Sequence, residues 1–248
     1  LTHGASNLDE LRDRTKQKVL RRLKEEILDL PDKIITPIFL ELDSLEYKKE
    51  VGEYLDWANE NKNQSLTIQL NKLMKVRQLI AKEKLKNTFE LIDQCLEQDK
   101  KVIVFTNFTE PLMEIWSKYK KMAVPLYGQM NQEQRQESVD SFQNDPKIKI
   151  FVSNIKAGGV GITLTSAEVV IFNDLSFVPS DMSQAEDRAF RIGQKKNVSC
   201  MYPIFDNTIE RVIYNIIQKK KRIIDTVLGD SIEEDDLMLS LLEEMRID

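Results

Sequence analysis

Residues 148–174 read IKIFVSNIKAGGVGITLTSAEVVIFND. Two β-rich apolar runs, IKIFVS (148–153) and EVVIF (168–172), flank a loop that holds Gly158, Gly159 and Gly161, three of the eight glycines of the chain. Such runs mark strands buried on both faces, as in a parallel sheet covered by helices. VIVF (102–105), AVPLY (123–127) and SCMYPIF (199–205) are of the same kind, and segments with helical spacing separate them. One of these, about 132–143, is opened by a capping box of Asn131 and Gln134. Another, 207–228, is opened by Asn207 and stopped near Gly229. Strands alternating with helices predict an α/β fold.

Upstream of residue 100 the pattern differs. Charged segments with apolar residues at helical spacing cover 9–29, about 44–61, 66–80 and 83–98, with one extended stretch, KIITPIFLELD (33–43), between the first two. The chain therefore divides into a mostly helical lead-in and protrusion (1–98), the α/β lobe (99–229) and a tail (230–248). The tail carries eight acidic residues against one basic residue, Arg246, a local charge of −7. The other residues carry 35 basic and 33 acidic groups, or +2, so the overall −5 does not argue against a polyanionic partner. Basic residues cluster at 11–24, 194–197 and 218–222. Singly each run reads as a solvated helix face or turn; together they suit a phosphate backbone.

Two cysteines, Cys95 and Cys200, are too few for a disulfide framework, lie in no metal-ligand spacing, and point to a reducing compartment. No metal site is expected. No apolar run approaches the roughly 20 residues that cross a bilayer, so no membrane partner is expected. The chain opens on leucine rather than methionine and is expected to be a piece of a longer protein.

Open α/β sheets bind ligands beyond the carboxyl ends of their strands. The loop after residue 153 is poor in side chains, which lets backbone N–H groups approach an anion or a ribose. It serves equally as a tight strand-to-helix connection. After VIVF, Thr106 and Asn107 suit either a cap or a nucleic-acid contact. Further on, SQAEDRAFRIGQ (183–194) spaces Gln184, Arg188 and Arg191 at i, i+4 and i+7, one face of a helix, with Ala185, Ala189 and Ile192 on the next. Arginine suits a phosphate oxygen through its planar, bidentate, permanently charged fork. The alternative is a salt bridge to Glu186, Asp187 or another surface acid.

In order, VIVFTNF, GQMNQEQRQESVDSFQ, FVSNIKAGGVGITLTSAEVVIFND and QAEDRAFRIGQ resemble motifs IV, IVa, V and VI of Snf2-type superfamily 2 ATPases. The upstream VLRRLKEEILDLPDK resembles the lead-in to the second motor lobe of that family. The resemblance covers roughly residues 17–228. It implies a RecA-like second lobe, a parallel sheet flanked by helices with a helical protrusion, that closes on a first lobe with ATP between them and duplex DNA across both. Arg188 and Arg191 then reach the ATP phosphates, and Gln184 positions them. Gly159, Gly161 and Thr163 lie on the nucleotide side; Thr106, Asn107, Asn154 and Lys156 lie along the DNA. Asn154 and Lys156 depart from the usual small hydroxyl residue and arginine. FVP (177–179) replaces tryptophan-asparagine-proline, and Phe190 replaces a histidine.

No G-x-x-x-x-G-K-S/T segment and no D-E-x-H motif occurs, and the sole histidine, His3, is terminal. ATP and the ligands of its Mg²⁺ are therefore expected from the first lobe, and this chain alone is expected to be inactive. The expected whole is a DNA-stimulated ATPase that tracks the double-stranded DNA backbone, with protein partners docking on the protrusion or tail. It would be cytoplasmic in a prokaryote or nuclear in a eukaryote. The alternative is a non-catalytic nucleic-acid or protein docking module. An RNA helicase lobe fits the fold but not the RAFRIGQ ending, and a dinucleotide-binding enzyme lacks its glycine fingerprint.

Overall fold

A computed structural model describes residues 10, 30–61, 66–158 and 161–227. The expected helix 9–29, apart from Glu10, and the tail 230–248 lie outside the described residues. Six strands form one sheet: β1 (Lys33–Leu40), β2 (Val102–Thr106), β3 (Ala123–Leu126), β4 (Ile150–Asn154), β5 (Val169–Phe172) and β6 (Val198–Phe205). Every pairing is parallel, in the order β1-β6-β5-β2-β4-β3. The helices are α1 (Leu45–Glu60), α2 (Leu66–Glu83), α3 (Leu85–Glu97), α4 (Thr109–Lys118), α5 (Gln132–Asn144), α6 (Ile155–Gly158), α7 (Pro179–Ala189) and α8 (Ile209–Val227).

The unbroken apolar runs do what their composition requires. All of β2 and β5 is buried, and successive residues feed opposite faces. Ile103, Phe105, Val170 and Phe172 join a cluster with Phe142 of α5, Ala185 and Ala189 of α7 and Ile213 of α8. Val102, Val104, Val169 and Ile171 face the other way, against Ile92 of α3 and Leu112 and Ile115 of α4. Across the first face the rings of Phe105, Phe172 and Tyr202 stack, with centroids 5.4 and 4.7 Å apart. The capping box is formed: the Asn131 side chain accepts from the Gln134 N–H and the Gln134 side chain from the Asn131 N–H.

One local expectation is corrected. Asn207 does not open α8. Its amide accepts from the Leu42 N–H and donates to the Leu42 carbonyl, at 3.0 and 2.9 Å, while the Thr208 hydroxyl accepts from the Glu210 N–H at 3.2 Å and serves the helix start. The extended stretch expected within the lead-in is a strand of the sheet. It is β1, paired residue for residue with β6 from Lys33↔Val198 to Leu40↔Phe205, and it forms an edge of the sheet. Pro37, which has no N–H to donate, is tolerated at such an edge. No described helix is long and apolar enough to cross a membrane.

Candidate functional site

Helix α7 ends sooner than the spacing of its arginines suggests. The helix stops at Ala189, with Phe190 as its C-cap (φ −88°, ψ 77°), and Gly193 adopts φ +101°. The cause is Gln194, which is buried: its Nε2 donates to the carbonyls of Ala167 (2.9 Å) and Ala189 (3.2 Å), and its Oε1 accepts from the N–H groups of Lys195 and Lys196. Ala185 and Ala189 are buried as the pattern predicts, but Ile192, beyond the helix, is 70% exposed. Arg191 is therefore placed by a turn rather than by helical periodicity.

The turn still delivers both arginines to one point. Arg188 Nη1 and Arg191 Nη1 each lie 3.4 Å from the Ile162 carbonyl, and the Leu164 N–H donates to the Arg188 carbonyl at 2.9 Å. Bonds of that length are loose and easily exchanged for a better acceptor. Burial lowers the pKa of Arg188, the neighbouring Arg191 charge adds to the effect, and Asp187 opposes it. Two guanidiniums thus share a site in which an anion relieves their repulsion. Gly161, at φ +71°, and the half-buried Thr163 flank Ile162, whereas Gly159 lies outside the described residues. Gln184 is exposed on α7; the glutamine that shapes this turn is Gln194.

Glu186, an offered partner for the arginines, is engaged elsewhere. It is 1% exposed, accepts a short hydrogen bond from the Tyr202 hydroxyl and pairs with Lys33 Nζ at 2.8 Å. Burial works against the Lys33 ammonium, but Glu186 and Asp187 outweigh it and raise its pKa. Burial, then the Glu186 charge, pushes the Tyr202 hydroxyl well above its usual range. The pair ties the arginine-bearing helix to β1 and β6.

At the carboxyl ends of β2 and β5, Asp174 is the organiser. Its Oδ2 accepts from the Thr106 hydroxyl at 2.5 Å, its two oxygens accept from the Asn107 N–H at 3.0 and 3.1 Å, and the Asn107 side-chain amide donates to Oδ1 in a short contact. Thr106 is fully buried, and its hydroxyl also accepts from the Phe108 N–H. Its role is local; in this conformation it does not face a nucleic acid. Asn107 is half-buried, Asn154 Nδ2 lies 3.4 Å from the Thr106 carbonyl, and Lys156 is exposed on α6. Arg77 of α2 donates to the Leu175 carbonyl and lies 3.9 Å over the ring of Phe177. The unusual FVP segment thus supplies a platform for a cation from the protrusion. Sequence reading missed Asp174, Gln194 and Arg77; the polar Asn173–Asp174 pair directly after a buried strand was an available signal for the first.

Among the described residues no group of three or more histidine, cysteine or carboxylate side chains could hold a metal ion. The helicase conserved C-terminal domain family matches residues 83–193. A SWI/SNF-related matrix-associated actin-dependent regulator of chromatin subfamily A-like protein 1 of Drosophila melanogaster is 32% identical over 231 residues, 91% of this chain and 31% of that protein. An uncharacterized ATP-dependent helicase of Mycoplasma pneumoniae is 31% identical over 240 residues, 90% of this chain and 23% of that protein. The chain thus spans between about a quarter and a third of the length of these relatives. The SWI2/SNF2 ATPase core domain of Sulfolobus solfataricus superposes with a TM-score of 0.70 at 28% identity, covering 96% of this chain and 54% of that one. The same core in complex with dsDNA gives 0.68 at 28%, covering 96% and 55%.

Proposed function

Because the chain belongs with the C-terminal, second RecA-like lobes of Snf2-family helicase-like ATPases, we propose that it completes, from one side, the ATP site of a DNA-stimulated translocase. The observation that carries this reading is the convergence of Arg188 and Arg191 on the Ile162 carbonyl beside Gly161. On closure against a first lobe, the two guanidiniums exchange that carbonyl for phosphate oxygens. There they offset charge that grows on the transferred phosphoryl group, a role worth roughly 10³ to 10⁵ in rate in other phosphoryl-transfer enzymes. Gln194 holds the turn that presents Arg191, and Glu186 holds the helix that presents Arg188. Both act as positioning residues.

Gly161 and Thr163 border the nucleotide, while Lys156, Asn107 and Asn154 supply the surface over which closure is passed to duplex DNA. Mg²⁺ bound with ATP would screen phosphate charge; in this reading its ligands belong to the first lobe, as do the groups that hold ATP. The 248-residue chain by itself then does not turn ATP over. Backbone contacts without base readout give little sequence preference.

The test is the ATPase rate of the full-length protein, with and without duplex DNA, for the parent and Arg191→Ala. The expected result is stimulation by DNA in the parent and a kcat lower by about 10² or more in the variant, with DNA binding retained. If the variant keeps the parent rate, the arginines are structural and the chain is a docking module.

A further inference from the structure

The positive charge of the lobe is not where the strand-end loops are. The segments that follow β2 to β6 (107–108, 127–131, 155–163, 173–178 and 206–208) contain one lysine, Lys156, against two acids, Asp174 and Asp206, a net −1. The turns that lead into the same strands (98–101, 119–122, 145–149, 165–168 and 193–197) contain eight lysines against three acids, a net +5. In a chain of net −5 this is a strong segregation.

These turns form one continuous edge. Lys195 and Lys196 lead into β6, and Lys100 and Lys101 into β2. Lys147 and Lys149 lead into β4, with Lys120 and Lys121 in the turn before β3. Backbone bonds stitch one turn to the next: Lys149 N–H to the Met122 carbonyl, Val102 N–H to Lys149, Glu168 N–H to Lys101 and Ser199 N–H to Glu168. Five adjacent strands at about 4.8 Å spacing make an edge about 19 Å long. Over that length B-DNA carries about eleven phosphate charges. In its middle Lys101, Lys149, Lys195 and Lys196, with the acids Asp99 and Glu168, line a depression of about 420 Å³.

The acids present do not quench the edge. Asp99, which pairs with Lys149 at 2.8 Å, is 88% exposed, and the Lys196–Glu168 pair at 2.7 Å leaves Lys196 66% exposed. Such pairs open readily to a competing anion. Lys120, Lys121, Lys147 and Lys195 are exposed. Burial and then the Lys149 charge lower the pKa of Lys101, Asp145 opposes them, and its ammonium donates to the Phe142 and Asp145 carbonyls.

We infer that the amino-terminal edge of the sheet is a second nucleic-acid surface, which binds the sugar-phosphate backbone of a duplex segment separate from the one at the strand-end loops. Lysines, as point charges on flexible stems, suit backbone contact without base readout. Gly193 and Gln194 of the turn that presents Arg191 border the same depression, but neither arginine lines it, and binding measured without ATP separates a failure of this inference from a failure of the ATPase reading.

The test is equilibrium binding of the 248-residue chain to a short fluorescent duplex DNA, without ATP, across a salt series. The Lys120→Gln, Lys121→Gln, Lys195→Gln, Lys196→Gln variant changes exposed side chains, so an unaltered far-UV circular dichroism spectrum and thermal melt are expected. Each lost phosphate contact lowers the slope of log K against log salt by about 0.9, so a decrease of about 3 to 4 is expected, with a weaker Kd. Lys156→Gln should lower it by no more than about 1. An unchanged slope in the fourfold variant overturns the inference. So does a chain that ignores duplex DNA at low salt yet binds an acidic peptide through the same lysines, which would assign the edge to a protein partner.

Discussion

Replacing Lys84 with methionine should cost the fold about 3–5 kcal/mol, the range for breaking a buried ion pair from one side. Lys84, at the junction of α2 and α3, is fully buried and donates a short hydrogen bond to Glu210 in the first turn of α8, whose side chain is 4% exposed. The second Glu210 oxygen accepts from the Phe205 N–H at 3.0 Å. Methionine keeps most of the stem but leaves the carboxylate without its cation where water cannot replace it. For a chain of this size each kcal/mol moves Tm by about 2–4 °C, so the melt should fall by about 6–20 °C. Burial already raises the pKa of Glu210 and Lys84 opposes that rise, so the variant raises it further. A carboxyl whose folded pKa lies above its unfolded value, about 4.3, contributes stability that is fully present below the unfolded pKa and lost as pH rises through the folded one. The deficit should therefore be larger near pH 8 than near pH 5. Circular dichroism melts at both values measure it. Adding Glu210→Gln, which keeps an acceptor for Phe205 without the charge, should recover part of the loss. A melt within about 2 °C of the parent at both pH values, less than about 1 kcal/mol, would refute the reasoning.

Asp174→Ala strands the buried Thr106 hydroxyl and the Asn107 N–H; at about 1–3 kcal/mol for each group the loss should be about 2–6 kcal/mol, read as a lower urea midpoint, with Asp174→Asn milder. Gly161→Ala meets no atom within 4 Å of the added Cβ, so its whole effect should come from φ +71°: about 1 kcal/mol in urea titration, with the far-UV spectrum unchanged.

The sheet was readable because unbroken apolar runs such as VIVF and VVIF, separated by helical segments, have few other uses than buried strands, and the capping box at Asn131 because its spacing is short and local. The resemblance, carried by the arginine-containing RAFRIGQ segment, located the pair that meets at Ile162. What escaped depends on long-range partners. Gln194 ends a helix through the Ala167 carbonyl, 27 residues away, and Asp174 engages Thr106 across 68. Asn207 looks like a cap by composition but is held by Leu42 across 165 residues. No local pattern encodes such contacts. The same limit applies to charge: the lysine edge gathers residues from separate turns, of which only Lys195 and Lys196 stood in a run marked by the sequence.

The pairing of β1 with β6 has a practical bearing on how the protein can be cut. Residues 33–40 look like part of a dispensable extension, yet they occupy the whole length of the last strand of the lobe. A polypeptide beginning at residue 99 would lack them, and Val198–Phe205 would lose its partner along one whole edge while keeping β5 over Ser199–Met201 on the other. Bare strands of that kind recruit other strands. Such a piece should self-associate through β6, and a soluble, monomeric lobe has to begin before Lys33.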